Sequence, residues 1–147
     1  GSSGVEVRGK KSSVSLRHCH VDESQCSNIW VGEGARAQIE HTTSNGSKGD
    51  SGLCVRGINS SITSKDSASN NNRYDGANAS SNAHITLLHS SCLHNVRNGW
   101  FASESGSVTA KDSHSMHNRA GNAVEGSNGR ITLQGACNLG GESVKKV

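Results

Sequence analysis

The sequence has no proline and only one phenylalanine, one tyrosine and one methionine. Hydrophobic residues make up 31% of its 147 residues, well below the share in an ordinary globular domain. A thick core filled with aromatic side chains is therefore excluded. Two alternatives remain: a disordered chain, or a repeat fold whose thin core is built from small residues.

Strong net charge and long apolar runs are also missing. The net charge is only +3 and the apolar residues are regularly placed, whereas disordered chains combine low hydrophobicity with high net charge. These features favour the repeat fold.

No apolar run approaches the length of a transmembrane helix, so we expect no membrane insertion. The cations are scattered, with pairs only at Lys10–Lys11 and Lys145–Lys146, and without a basic stripe we expect no nucleic-acid partner.

The five cysteines are odd in number and form no CxxC pair. We interpret them as small buried or half-buried thiols rather than as a disulfide framework. Such residues suit a thin core, because cysteine is among the residue types most often buried.

Units of about 23 residues recur along the chain. A glycine, once replaced by asparagine, opens each unit at Gly4, Asn28, Gly52, Gly76, Gly99 and Gly121. Two short alternating segments follow each opening. The second segments begin at Val14, Ala37, Ile62, Ile85, Val108 and Ile131, with spacings of 23 to 25 residues. Alternation with a period of two is typical of half-buried strands, and the segments are too short for amphipathic helices.

This pattern predicts an all-β fold, a single-stranded right-handed parallel β-helix (β-solenoid) of about six coils with about 23 residues per coil. Successive coils pair about 4.8 Å apart, so equivalent residues stack into columns. We expect residues 1–147 to form one β-helix domain, as a segment of a longer solenoid or larger protein, with a partial seventh coil after Cys137. Open ends would allow end-to-end or side-by-side association with other chains.

The units from Gly76 to Asn98 and from Gly99 to Ala120 show the repeat most clearly. Each has a glycine, a short strand, a Gly/Ser turn, an Ile-Thr-Leu or Val-Thr-Ala strand and an Asp/His-Ser corner. This pattern resembles the right-handed parallel β-helix (pectin lyase-like) superfamily over nearly the whole chain. The resemblance implies polysaccharide lyases and epimerases, phage tailspikes or non-catalytic modules, and the fold alone does not select among them.

The catalytic features that the resemblance implies are missing. Without proline the chain cannot carry the Asp-Pro-His-Asp motif of alginate epimerases, and the aspartates that pectate lyases cluster around calcium are here mostly isolated along the sequence. Coil lengths also leave no room for long groove-forming loops. We therefore predict a non-enzymatic binding or scaffold module that presents a regular polar face to a protein or polysaccharide partner. The alternative is a fragment of a polysaccharide lyase or uronate epimerase whose catalytic coils lie elsewhere.

One column of titratable residues follows the second strand of each unit. Its members are His18, His41, Asp66, His89 and Asp112, and Gly135 completes it. Stacked about 5 Å apart, they could coordinate a metal, bind an anion or titrate near neutral pH. Alternatively, they form a turn corner, where Asp and His tolerate unusual backbone angles and make local hydrogen bonds. A flat ladder does not readily supply tetrahedral zinc geometry, so we predict a binding column without a metal or cofactor.

Two further columns have different characters. Asn72, Asn95 and Asn118 are 23 residues apart and predict a structural ladder of stacked amides. Trp30 and Phe101 fall in one outward column, three coils apart. Exposed aromatic residues can stack on sugars or anchor a partner, although these two could equally be shielded by loops or by a neighbouring chain.

Overall fold

A computed structural model describes residues 2–147 of the chain and contains fifteen β-strands in that range. Every strand pair is parallel, and each strand pairs with the equivalent strand of the next coil. The fold is therefore the predicted solenoid of about six coils. No helix in the described range is long and apolar enough to cross a membrane.

Three parallel sheets run along the solenoid. The first sheet contains β1 (Val5–Arg8), β3 (Ile29–Gly32), β5 (Leu53–Arg56), β7 (Ala77–Ser80), β10 (Asn98–Ala102), β13 (Gly121–Glu125) and β15 (Lys145–Lys146). The second sheet contains β2 (Ser13–Arg17), β4 (Arg36–Glu40), β6 (Ser61–Lys65), β8 (His84–Leu88), β11 (Ser107–Lys111) and β14 (Arg130–Gln134). The third sheet is short and contains β9 (Ser91–Leu93) and β12 (His114–Met116). Because β15 pairs with β13, the segment after Cys137 forms the predicted partial seventh coil.

The core is a stack of small apolar columns. Ile62 pairs with Ile85, Ile85 with Val108, and Val108 with Ile131, as the repeat predicted. The first three of these side chains are fully buried, and burying one aliphatic side chain of this size contributes about 1.5–3 kcal/mol. Within residues 2–147, Trp100 is the only aromatic side chain that is fully buried in this core. Neighbouring coils thus supply the burial that a single coil cannot.

The opening of the sixth coil is one residue later than the sequence suggested. Trp100 pairs with Ala123, so Asn122 rather than Gly121 is equivalent to Gly99. The sequence interpretation was wrong here because it chose the nearer glycine.

The predicted asparagine ladder is present and is buried along its length. The Oδ1 atom of Asn95 accepts hydrogen bonds from the backbone N–H and side-chain amide of Asn72, at 2.9 and 3.0 Å. Asn118 accepts the same pair of bonds from Asn95, both at 2.9 Å. Asn122 ends the ladder by accepting from Asn118, and Asn28 begins it by donating to Asn72. The opening residues of the second and sixth coils therefore replace the ladder members that are missing there.

The same ladder explains why glycine opens the middle coils. A Cβ atom on Gly76 would lie 2.6 Å from the Cβ of Cys92 and 2.8 Å from the side-chain nitrogen of Asn95. A side chain at this position would therefore displace the ladder. Asn122 is tolerated at the equivalent position because Gly141, which has no side-chain amide, lies in the next turn where the ladder would continue.

Candidate functional site

The predicted titratable column forms the corner between the second and third sheets. We call it the corner column: His18, His41, Asp66, His89, Asp112 and Gly135. All six residues have φ between 47° and 64°, which is the left-handed region. Glycine adopts this conformation freely, and polar residues with short local hydrogen bonds tolerate it better than apolar ones. The backbone thus accounts for the residue types of the column, and the corner interpretation is confirmed.

Hydroxyl groups fix this corner from the inside. The buried Ser67 hydroxyl donates to the carbonyl of Lys65 at 2.8 Å and accepts the backbone N–H of Thr42 at 3.1 Å. Ser90 and Ser113 make equivalent bonds one and two coils further on. This inner ladder holds the corner side chains at a constant spacing and directs them outward.

Neighbouring members of the corner column make direct contacts. The rings of His18 and His41 are stacked, with centroids 5.0 Å apart and planes inclined by 7°. The Nε2 atom of His41 lies 3.9 Å from a carboxylate oxygen of Asp66 and 3.9 Å from one of Glu40. Further along, Asp112 accepts the backbone N–H of Ala136 at 2.8 Å. The structure therefore brings His18, His41 and Asp66 together and adds Glu40, which the sequence reasoning had not selected.

Glu40, His41 and Asp66 form a group whose ligand atoms all lie within 4.8 Å of one another, close enough to be tested as a metal site. Two cations already compensate its carboxylates: Arg17 is 3.0 Å and Lys65 is 3.5 Å from the Glu40 carboxylate. Burial alone would raise the pKa of Glu40, but the attraction of Arg17 and Lys65 outweighs it and the pKa is lowered. A metal ion would have to compete with these two cations, so the group is better described as an exposed ion-pair network.

An open groove runs along the corner column. Its volume is about 500 Å³. The corner residues His41, Asp66 and His89 form one wall. The other wall consists of Ser91 and His114 of the third sheet, together with Thr43 and Ala68, which continue the line of that sheet through isolated parallel bridges. Hydrogen-bonding side chains thus recur on successive coils along one continuous surface.

Trp30 and Phe101 lie apart from this groove, on the outward face of the first sheet. They share one column, as predicted, with Cys54 and Asn78 between them. Trp30 is half-buried, its indole lies over Gly32, and the guanidinium of Arg8 is 4.3 Å from the ring centroid. Phe101 is also half-buried. The chain itself covers much of both rings. Because the two aromatic residues lie on the first sheet, they do not form one site with the corner column.

A buried carboxylate lies beneath the first sheet. Asp75 is fully buried and accepts hydrogen bonds from the backbone and side chain of Asn98, at 3.0 and 2.8 Å, and from Asn78 at 2.8 Å. Burial raises the pKa of Asp75, and the hydrogen bonds from Asn98 and Asn78 oppose that rise. All of its neighbours are donors, so the carboxylate joins adjacent coils and has a structural role.

Two features of the turn from the third sheet back to the first were not predicted. The first is a second left-handed column, Glu23, Gly46, Asn71, His94, His117 and Gly140, in which the rings of His94 and His117 stack 5.1 Å apart. The second is a row of cations that we call the basic corner: Lys48, Arg73, Arg97 and Arg119. The only sequence signal for this row was the recurrence of basic residues at intervals of 22 to 25 positions.

Comparison with protein families gives one clear result. A family model described as the right-handed β-helix region matches residues 3–138. Neither the curated proteins nor the solved structures give a significant match to the chain. The match extends over almost all of the six coils, so the chain belongs to the right-handed β-helix family.

Proposed function

We propose that this chain is a non-enzymatic binding or scaffold module, which holds an extended partner, a polysaccharide or a protein, along the groove beside the corner column. The observation that carries the proposal is the repetition of hydrogen-bonding side chains on successive coils of one open surface. A partner with a regular repeat could make the same contact several times, and such multivalent contacts add affinity without any single strong site.

The chemistry of the groove supports binding rather than catalysis. A general acid or base needs a pKa near the working pH. A carboxylate reaches such a pKa when burial or a neighbouring negative charge raises it. The Glu40 carboxylate, beside the groove residue His41, is half-buried and paired with cations, and its pKa is lowered rather than raised. The alternative, a fragment of a polysaccharide lyase or uronate epimerase, would need catalytic coils outside this segment.

Glycine substitutions offer a clean test of the groove. His41 and His89 both have φ of 47°, so glycine preserves the corner while removing the side chain. We expect the His41→Gly/His89→Gly variant to stay folded by circular dichroism and to lose affinity for a bound polymer in calorimetric titrations with alginate and polygalacturonate. Unchanged affinity in this variant would contradict the proposal. Unsaturated, ultraviolet-absorbing products or altered uronate stereochemistry in the same mixtures would favour the enzymatic alternative.

A further inference from the structure

The basic corner presents one cation on each of four successive coils. The backbone N–H of Arg73 donates to Ser47 at 3.0 Å, and that of Arg119 donates to Asn95 at 3.1 Å, which keeps these coils in register. On the coil between them the equivalent position is Val96, whose backbone N–H donates to Asn72 at 2.9 Å, and Arg97 follows it as the equivalent of Tyr74. The cations therefore recur once per coil at this corner, with Arg97 one position away from the column of Arg73 and Arg119.

Three of these cations form no ion pair within the part of the chain that the structure describes, although the buried Asp75 attracts Arg97 at longer range. Within residues 2–147, no carboxylate lies at ion-pair distance from Arg73, Arg97 or Arg119, and their guanidinium groups make no hydrogen bond. Lys48 is paired with Glu23 at 3.6 Å in an exposed ion pair. The charge of the arginines is thus available to an external anion, whereas the cations around Glu40 are already compensated.

Apolar surface lies between the arginines. Tyr74 is 38% exposed and Val96 is 48% exposed, which is unusual in a chain with so few large apolar side chains. Together with Arg73 and Arg97 they line a shallow depression of about 550 Å³. Arginine and tyrosine are the residue types most enriched among the energetically important positions of protein interfaces.

We infer that the basic corner is a docking site for an acidic protein segment, in which an apolar side chain occupies the depression and flanking carboxylates pair with the arginines. A protein fits better than a sugar or a nucleic acid because Arg97 already lies over the Tyr74 ring, 5.2 Å from its centroid, where a sugar or base would stack. This inference is independent of the groove beside the corner column.

The test measures binding of a short fluorescent peptide that has a leucine between glutamates. We expect salt-sensitive binding to the full chain, because the contacts are exposed ion pairs. The Arg73→Gln/Arg97→Gln/Arg119→Gln variant should bind about tenfold more weakly. Val96→Ser should weaken binding of the leucine peptide but not of a peptide with serine in place of leucine.

A matched variant controls for net charge. Arg36→Gln/Lys111→Gln/Arg130→Gln removes the same charge from exposed positions of the second sheet, and we expect it to bind the peptide with unchanged affinity. An equal loss of affinity in this control would overturn the inference, as would absence of peptide binding at low salt. Stronger binding of polygalacturonate or single-stranded DNA at the basic corner would also overturn it. The His41→Gly/His89→Gly variant should bind the peptide normally, so failure of either proposal can be recognised separately.

Discussion

Replacing Asn95 by alanine removes the middle member of the asparagine ladder. Its side chain accepts two hydrogen bonds from Asn72 and donates two, to Asn118 at 2.9 Å and to the carbonyl of Ser69 at 3.2 Å. Asn95 is 1% exposed, so water does not reach these partners in the folded chain. The substitution leaves the backbone N–H of Asn72 buried without an acceptor.

The expected cost follows from these contacts. An orphaned buried donor costs about 1–3 kcal/mol, and each ordinary hydrogen bond lost costs about 0.5–1.5 kcal/mol. Asn95→Ala should therefore lower the free energy of unfolding by about 3–5 kcal/mol, a large part of the 5–15 kcal/mol typical of a folded domain. Urea unfolding followed by tryptophan fluorescence and circular dichroism measures this difference.

Asn70→Ala is the matched control. The Asn70 side chain accepts one hydrogen bond of the same kind, from the backbone N–H of Leu93 at 2.8 Å. Because Asn70 is only half-buried, water can take the place of its side-chain oxygen as the acceptor. We expect this substitution to cost about 1 kcal/mol or less. Equal effects of the two substitutions, or a cost below about 1 kcal/mol for Asn95→Ala, would refute the reasoning that the inner ladder holds the coils together.

Four further outcomes are expected. Gly76→Ala should lower the free energy of unfolding by about 1–3 kcal/mol in the same urea assay, because its new Cβ overlaps Cys92. Asp75→Asn should cost about 1–3 kcal/mol, because the amide keeps one acceptor oxygen for Asn98 while its NH2 group then faces the donor amide of Asn78; a neutral effect would contradict the carboxylate's structural role. Burial raises the pKa of Cys92 to about 12 and of Cys54 to about 11, so neither thiol should react with a thiol reagent at neutral pH before unfolding. Stability contributed by the neutral Cys92 thiol should be complete below the unfolded pKa of about 8.5 and should fall as pH rises toward 12, a dependence that Cys92→Ala should reduce.

The columns that the sequence predicted correctly are those whose residue types repeat. Ile62, Ile85, Val108 and Ile131 are all β-branched and follow one another at intervals of 23 residues, so their stacking follows from alternation and period alone. The opening of the last coil was misplaced because Gly121 resembles the other openings, whereas the structure uses Asn122 to end the asparagine ladder. That choice depends on Gly141, which provides no side-chain amide in the next turn. The local sequence pattern around Gly121 does not reveal this.

The surfaces were harder to predict than the core. The second left-handed column contains acidic, amide, imidazole and glycine residues, so no single chemical type marks its period. Arg73, Arg97 and Arg119 are separated by more than twenty residues, and a search for neighbouring charges in sequence cannot find them. Only the coil register places them on one corner. The corner column itself was found from sequence, but its left-handed backbone explains its composition as well as a ligand would.

The stacking of equivalent residues in successive coils is tested most directly by methyl–methyl nuclear Overhauser contacts in solution. We expect contacts between Ile62 and Ile85, between Ile85 and Val108, and between Val108 and Ile131, because these pairs are neighbours in the second sheet. We expect no direct contact between Ile62 and Val108, which are two coils apart. Contacts shifted by two residues along the strands, or contacts typical of antiparallel strands, would contradict the solenoid and the surfaces built on it.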